Sequence, residues 1–403
     1  MTTAPESAWR GYDRGTREYR RILTALGFAG VATFAQLYSP QGILPLVASD
    51  MGVTAAQSAL LISAATIGLA VGVLPWSWLA TRIGCLPAMR IALAAAAVFG
   101  IAGALFPTFD GILVLRVLEG LALGGVPALA LTYLHEEIRA ANTVVAAATY
   151  VSGTTIGGLA GRLVAAPIAD LAGWRTGVGV VVVLCAAATA AFVLITPPPR
   201  GSRRTSATLA RVLKASLANL RSVGMLVLFA QAFLLMGGFV TVYNYLAFRL
   251  EQPPFELSPF AASLLFLAYL AGTYSSRQAG AAARRLGRTT VLLAAIAIMV
   301  AGVLLTLVSS LLWVVVGLVV FTAGFFAAHA IASGWVGTRA TVGRAQAASL
   351  YNLFYYLGSS VVGWAGGLVF ASFGWGATVG LVAGLAVVAA ALAGGYAVSR
   401  SPR

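Results

Sequence analysis

Three charged side chains lie clearly within the long apolar stretches of this sequence, away from their ends: Arg116, Glu119 and Arg162. Glu119 is the one acid among them, and an acid far from water has the chemistry of a proton carrier. Burial favours its neutral form, whereas Arg116, one helical turn earlier, favours the carboxylate. A carboxyl held between those influences can take a proton from one side of a barrier and release it on the other. The alternative is a permanent Arg116–Glu119 pair that holds its helix to a neighbour. Arg162 is a candidate for contact with a ligand, or an interface anchor reaching back to water along its aliphatic stem. His329, which can titrate near neutrality, is the next candidate for proton coupling. Gln36, Gln41, Tyr243, Asn244, Asn352 and Tyr355 are candidates to line a binding cavity, although such groups often bond only to a neighbouring helix.

Other chemistries are excluded on spacing. Two histidines (His135, His329) and two cysteines (Cys85, Cys185), far apart, offer no metal-ligand pattern and no disulfide framework. The single lysine, Lys214, has no glycine loop before it, so the chain carries no phosphate-binding loop of an ATPase. Any uphill work must then draw on an ion gradient or a separate subunit. No nucleophile–base constellation suggests an enzyme, and no cofactor is expected.

The elements that must position these groups follow from composition. The chain is 60% hydrophobic and 9% charged, against about 25% charged in a soluble domain. Its exterior must face lipid. Twelve apolar runs are long enough to cross about 30 Å of hydrocarbon: 22–47, 57–79, 87–107, 111–134, 142–166, 177–196, 223–248, 259–280, 290–309, 311–334, 346–371 and 375–397. Entry of span 4 near Gly111 puts Arg116 about 8 Å and Glu119 about 12 Å deep, and Arg162 about 6 Å from the end of span 5. The first run is too long for a signal peptide. The expected organisation is a cytoplasmic tail at 1–21, a six-helix half at 22–196, a cytoplasmic connection at 197–222, a second half at 223–397 and a tail at 398–403.

Charge sets the orientation. With both termini inside, the inner segments hold 22 of the 26 basic residues, and the outer loops only Arg175 and Arg249. That is the positive-inside pattern, and it accounts for the net charge of +15 without nucleic acid. The halves also repeat. Tyr150, Gly153, Gly158 and Gly161 correspond to Tyr355, Gly358, Gly363 and Gly366 at an offset of 205. Arg162 falls opposite Gly367, and the 116/119 pair opposite apolar or glycine positions, so these charges belong to one half only. Gly153, Gly157 and Gly161 form a small-residue ridge suited to helix packing.

The loops carry a family resemblance. Gly280-Ala-Ala-Ala-Arg284-Arg285-Leu-Gly287-Arg288 resembles the G-x-x-x-D-R-x-G-R loop motif of the major facilitator superfamily, with Arg284 in place of the acid. Its first copy keeps Arg82 and Gly84. Arg116-Val-Leu-Glu119-Gly120 resembles the R-x-x-Q-G motif, and Gly153-Thr-Thr-Ile-Gly157-Gly158 resembles the antiporter motif G-P-x-x-G-G without its proline. Longer strings, such as G-T-T-I-G-G-L-A-G-R at 153–162 and A-S-L-Y-N-L-F-Y-Y-L-G-S-S at 348–360, are similar to YnfM-like exporters of bacterial inner membranes. The resemblance implies an all-α membrane fold of twelve helices in two halves, alternating access, and gating by the loop motifs. It also implies proton-driven export of a small amphipathic or anionic compound, with protons, the substrate and the bilayer as partners and a monomeric carrier. An importer or uniporter of the same fold, or a non-transporting membrane sensor or assembly protein, are the competing readings.

Overall fold

The computed structural model describes residues 9–201 and 209–398, almost all of them helical. Residues 1–8, 202–208 and 399–403, with Arg203, Arg204, Arg400 and Arg403, lie outside the described residues. Among the described residues, ten helices are long and apolar enough to cross a membrane. One of them, Arg344–Val398, is two spans joined end to end, because Gly374 interrupts it at φ 74°. The twelfth is 259–286, whose helix Tyr269–Leu286 carries Thr273, Ser276 and Arg277 and is too polar to count by composition alone. Spans 1 to 6 are thus Arg17–Met51, Ala55–Ile83, Cys85–Leu105, Phe109–Glu137, Thr143–Ala172 and Trp174–Ile195. Spans 7 to 12 are Val223–Leu250, 259–286, Arg288–Leu305, Leu311–Arg339, 344–373 and 375–398.

Four of the connections are single-residue corners in matching places of the two halves. Gly84 joins spans 2 and 3, Gly173 spans 5 and 6, Gly287 spans 8 and 9, and Gly374 spans 11 and 12. All four have φ between 74° and 93°, a left-handed backbone that only glycine adopts without strain. The loop glycines Gly84 and Gly287 therefore have a structural duty whatever their part in gating.

Two boundaries differ from the sequence reading. Span 5 was expected to end at 166, before Pro167, yet the helix continues through that proline to Ala172. Neighbouring helices make a proline tolerable inside a membrane helix. The correction moves Arg162 from the shallow position expected to ten residues, about 15 Å, from the helix end. The connection 197–222, expected as a polar loop, contains the helix Leu209–Leu220. Apolar Val212, Leu213, Leu217 and Leu220 recur among its polar and basic residues at helical spacing, the mark of an amphipathic segment.

Span 1 is broken where it matters. Its α-helix ends at Tyr38, a 3-10 turn covers Ser39–Ile43, and a second helix runs Leu44–Met51. Pro40 at the start of that turn has no N–H to continue the α-helical ladder. The break presents the Gln41 side chain toward span 5.

The glycine ridge of span 5 lies directly on span 1: a Cβ on Gly157 would sit 2.6 Å from Val31 Cα, and one on Gly161 2.3 Å from the Ala35 carbonyl oxygen. Gly161→Val is expected to lower the unfolding temperature of the purified protein by several degrees, since overpacking costs about 1–3 kcal/mol. Gly380→Ala, which meets no atom within 4 Å, is the neutral control. Equal melting of both variants would show that the ridge is not a packing surface.

Candidate functional site

Arg162 is 2% exposed, and its guanidinium is held on every side. Nε and Nη2 donate to Gln41 Oε1 at 2.8 and 2.5 Å, and Nη1 donates to the Gly158 carbonyl at 2.5 Å. The Tyr269 hydroxyl stands 3.4 Å from Nη2. The charge also lies over three rings, with centroids at 4.4 Å (Tyr38), 4.8 Å (Phe266) and 4.9 Å (Tyr269). Missing is a carboxylate: among the described residues the ion pairs are Arg116–Glu119 and Arg139–Asp13. The buried charge is held by hydrogen bonds and ring faces alone and is not neutralised by any carboxylate among the described residues.

A cavity of about 680 Å³ opens beside it. Spans 1 and 5 supply one wall, with Phe34, Tyr38, Ser152, Thr155 and Arg162, and spans 7, 8, 10 and 11 the other, with Phe239, Tyr269, Arg277, Phe326, His329 and Tyr355. The site thus lies between the halves, where carriers with two repeats place their substrates. The cavity runs from Arg162 toward the face that bears Arg277 and the basic loops.

The opposite side is shut. Gln41 Nε2 donates to Asn244 Oδ1 at 2.7 Å, joining span 1 to span 7. Span 2 meets span 11 through Ser63 Oγ to the Ser360 carbonyl at 3.0 Å and Thr66 Oγ1 to Ser360 Oγ at 2.7 Å. These groups are buried, so breaking the seal exposes several polar pairs together. Gln41 is the shared member: one end of its amide holds Arg162, the other holds the second half.

Glu251 stands at the rim of the seal, just beyond span 7. Burial pushes its carboxyl up to about 7, Asp170 at the end of span 5 adds to the shift, and Oε1 is buried without a partner. Arg249 is turned away to the Thr306 carbonyl and stacks on Phe255. Opening of the seal is expected to hydrate the carboxyl and return it toward 4.5. A raised value in the closed form makes closure most favoured below pH 4.5, progressively less so up to pH 7, and constant above. Spin labels at Ser49→Cys and Gln252→Cys are expected to separate as pH rises from 5 to 7. Glu251→Gln is expected to remove that response; a response that persists in the variant contradicts the assignment.

Glu119 and Arg116 are 2% and 5% exposed and lie inside the first half, not on the cavity wall. Arg116 Nη1 reaches Glu119 Oε2 at 2.6 Å; its other donors reach the carbonyls of Leu61 (3.0 Å), Gln36 (3.3 Å) and Leu37 (2.6 Å). Gly120 makes this possible, since a Cβ there would lie 2.0 Å from the Ala65 carbonyl oxygen of span 2. Glu119 Oε1 has no hydrogen-bond partner. Two of the carbonyls that Arg116 grips, those of Gln36 and Leu37, come just before the break of span 1, five residues or fewer from Gln41.

Of the side chains expected at a binding cavity, Arg162 and Tyr355 line it and Gln41 braces it. Four others do not. Gln36 donates to the Ala96 carbonyl within the first half, and Asn244 belongs to the seal. Tyr243 is buried behind the wall against Thr322, and Asn352 is exposed elsewhere. A residue's helix is readable from sequence, but its rotation toward lumen or neighbour is not. His329 lines the cavity, with Nδ1 3.0 Å from the Tyr351 hydroxyl and its ring 4.9 Å from Tyr355. Phe34, Tyr38, Phe239, Tyr269 and Phe326 were missed. Phe326 and His329 are one helical turn apart, which was the available signal for one wall.

The family model described as Major Facilitator Superfamily matches residues 26–359. The chain belongs to the Major Facilitator Superfamily. It is 41% identical to the inner membrane transport protein YnfM of Escherichia coli (strain K12), over 93% of this chain and 90% of that protein. It is 36% identical to the uncharacterized MFS-type transporter YybF of Bacillus subtilis (strain 168), over 94% of each. Among solved structures, a mutant of the nucleoside transporter NupG superposes with a TM-score of 0.78 at 15% identity, covering 94% of this chain and all of that one. A bacterial homologue of the human lysosomal transporter Spinster, inward-facing and occupied, gives the same score and identity over 96% and 98%. These likenesses show the fold. The protein is a major facilitator-type membrane transporter.

The superfamily loop motifs take an altered form. Arg82 stacks on Trp78 at 4.3 Å, and Arg288 donates to Thr338 Oγ1 at 2.5 Å, while Gly280, Arg284 and Arg285 sit at the end of the span 8 helix. The acids on this face cluster instead around loop 4–5. Asp13 pairs with Arg139, and the Glu137 carboxylate accepts the backbone N–H groups of Arg200 and Gly201. Tyr12 pairs backbone to backbone with residues 137 and 139. This clamp ties the N-terminal segment and the start of the central connection to the first half.

Proposed function

We propose that this transporter exports a small amphipathic anion from the cytoplasm in exchange for protons, by alternating access to the Arg162 cavity. The reading is carried by one observation: a buried guanidinium without a carboxylate partner closes the inner end of a cavity between the halves. The arginine-rich loops support placing the basic face, with both termini, in the cytoplasm of a bacterial inner membrane. The cavity then loads from inside. An anion that takes the Arg162 donors releases Gln41, and the amide that fastens span 1 to span 7 loses its anchor. The seal then parts with the substrate aboard.

Glu119 carries the proton in this scheme. Protonation removes the carboxylate partner of Arg116, whose other bonds set the backbone of Gln36 and Leu37 immediately before Gln41. Proton site and substrate site are thereby joined through one short stretch of span 1. The energetics favour export: a monoanion leaving against an entering proton moves two charges down an inside-negative potential, about 2.3 kcal/mol per charge per 100 mV. The carrier acts as a monomer in the bilayer and needs neither cofactor nor nucleic acid.

The test is an untargeted comparison of small molecules inside and outside cells that express the wild type or Arg162→Gln. An organic anion enriched outside only with the wild type is the expected result. Enrichment of a cation, or an effect equal in both strains, would overturn the assignment.

A further inference from the structure

The cavity wall specifies more than the sign of the charge. Resting on the transport reading above, we propose that the substrate class is a planar aromatic monocarboxylate of about two fused rings. Its carboxylate meets Arg162, and its ring enters the pocket walled by Phe34, Tyr38, Phe239, Tyr269, Phe326 and Tyr355.

Charge comes first. Among the described residues no acidic side chain lines the cavity, and the two cations that do are unequally placed. Arg162 lies at the closed end; Arg277, eight residues beyond Tyr269 on span 8, is about 12 Å nearer the mouth. Arg277 draws anions in, and only Arg162 is enclosed. The stretch between them is aromatic, which suits one anionic end and one flat apolar body. A dianion with adjacent charges would leave its second charge among rings.

Aromatic boxes also attract cations, but here the box already holds one. Arg162 itself occupies the faces of Tyr38, Phe266 and Tyr269. An ammonium ligand would be repelled by it. A carboxylate competes with Gln41 for the Nε and Nη2 donors, and the Tyr269 hydroxyl, 3.4 Å from Nη2, stands beside them to donate as well.

Shape comes next. Phe239, Tyr269 and Phe326 meet one another edge to face, with centroids 5.5 to 5.8 Å apart and interplanar angles of 71° to 82°. Phe239 is buried and stacked on Phe325 at 3.9 Å, so the part-exposed Tyr269 and Phe326 present this pattern to the cavity, and a flat ring entering it continues the pattern. A saturated body of equal size fills the space without that gain. A volume of about 680 Å³ accommodates two fused rings with water to spare.

The test is calorimetric titration of the purified full-length transporter in nanodiscs with four probes of one shape: 2-naphthoate, 2-naphthamide, 2-naphthylmethylamine and the saturated decalin carboxylate. Naphthoate is expected to bind at least tenfold more tightly than the amide and about three- to tenfold more tightly than the saturated acid, with the amine weakest. Arg162→Gln is expected to abolish the preference for acid over amide. Phe239→Leu, a milder change, is expected to erase the preference for aromatic over saturated acid and keep that for acid over amide. Failure of naphthoate to bind, equal binding of acid and amide, or tighter binding of the amine or saturated acid overturns the proposal. Flux of naphthoate in proteoliposomes separates the two claims. Binding without flux refutes transport and leaves the ligand class standing; flux of some other compound with no affinity for naphthoate does the reverse.

Discussion

Replacing Arg162 by Gln is expected to weaken substrate binding by about 10- to 150-fold, the loss that accompanies a charged hydrogen-bonding partner worth about 1.5–3 kcal/mol. Gln keeps a donor for the Gly158 carbonyl but loses the charge and the fork that embraces Gln41 Oε1. Arg162→Lys should fall between, since an ammonium is a point charge that cannot hold Gln41 and Gly158 in the same geometry. Arg162→Gln strands no acid and Arg162→Lys keeps the charge, so both variants should insert and melt near the wild-type temperature. Binding and melting measured on the same preparations decide the matter. Unchanged affinity in a folded Arg162→Gln protein would make the guanidinium a structural brace for span 1.

The second large effect is expected at Glu119. Glu119→Gln imitates the protonated acid, so flux driven by a pH gradient should vanish while exchange of substrate for substrate persists, because exchange needs no net proton movement. Glu119→Leu should do more harm. It strands Arg116, already committed to three backbone carbonyls, and leaving a buried charge unpaired costs about 3–5 kcal/mol. The double change Arg116→Leu with Glu119→Leu should recover some abundance without recovering coupling. Retention of normal pH-driven flux by Glu119→Gln would make the pair architectural and pass the proton to His329, which unlike Glu119 faces the cavity.

The twelve-span fold was legible because lipid demands uninterrupted apolar length, and length is a property of sequence. Arg162 and Glu119 were legible for the related reason that a charge in such a run is costly and conspicuous. What sequence could not show was rotation about each helix axis. Tyr243 and Asn244 are adjacent, yet one packs behind the cavity and the other closes the seal. Depth misled at Arg162 because the helix runs on past 166, through Pro167, to Ala172. The role of Gln41 was illegible, since it depends on a break in span 1 that brings one amide within reach of both Arg162 and Asn244.

The exchange proposed for this transporter couples an outward flow of anion to an inward flow of protons. Its most direct measurement is flux through wild-type protein in proteoliposomes, using the anion that export from cells identifies, with the pH gradient and the membrane potential imposed separately. Each gradient alone should drive uphill movement, both together should drive more, and ATP should add nothing. Uphill flux that survives a protonophore and the collapse of every ion gradient, or that ignores the pH gradient altogether, would contradict it.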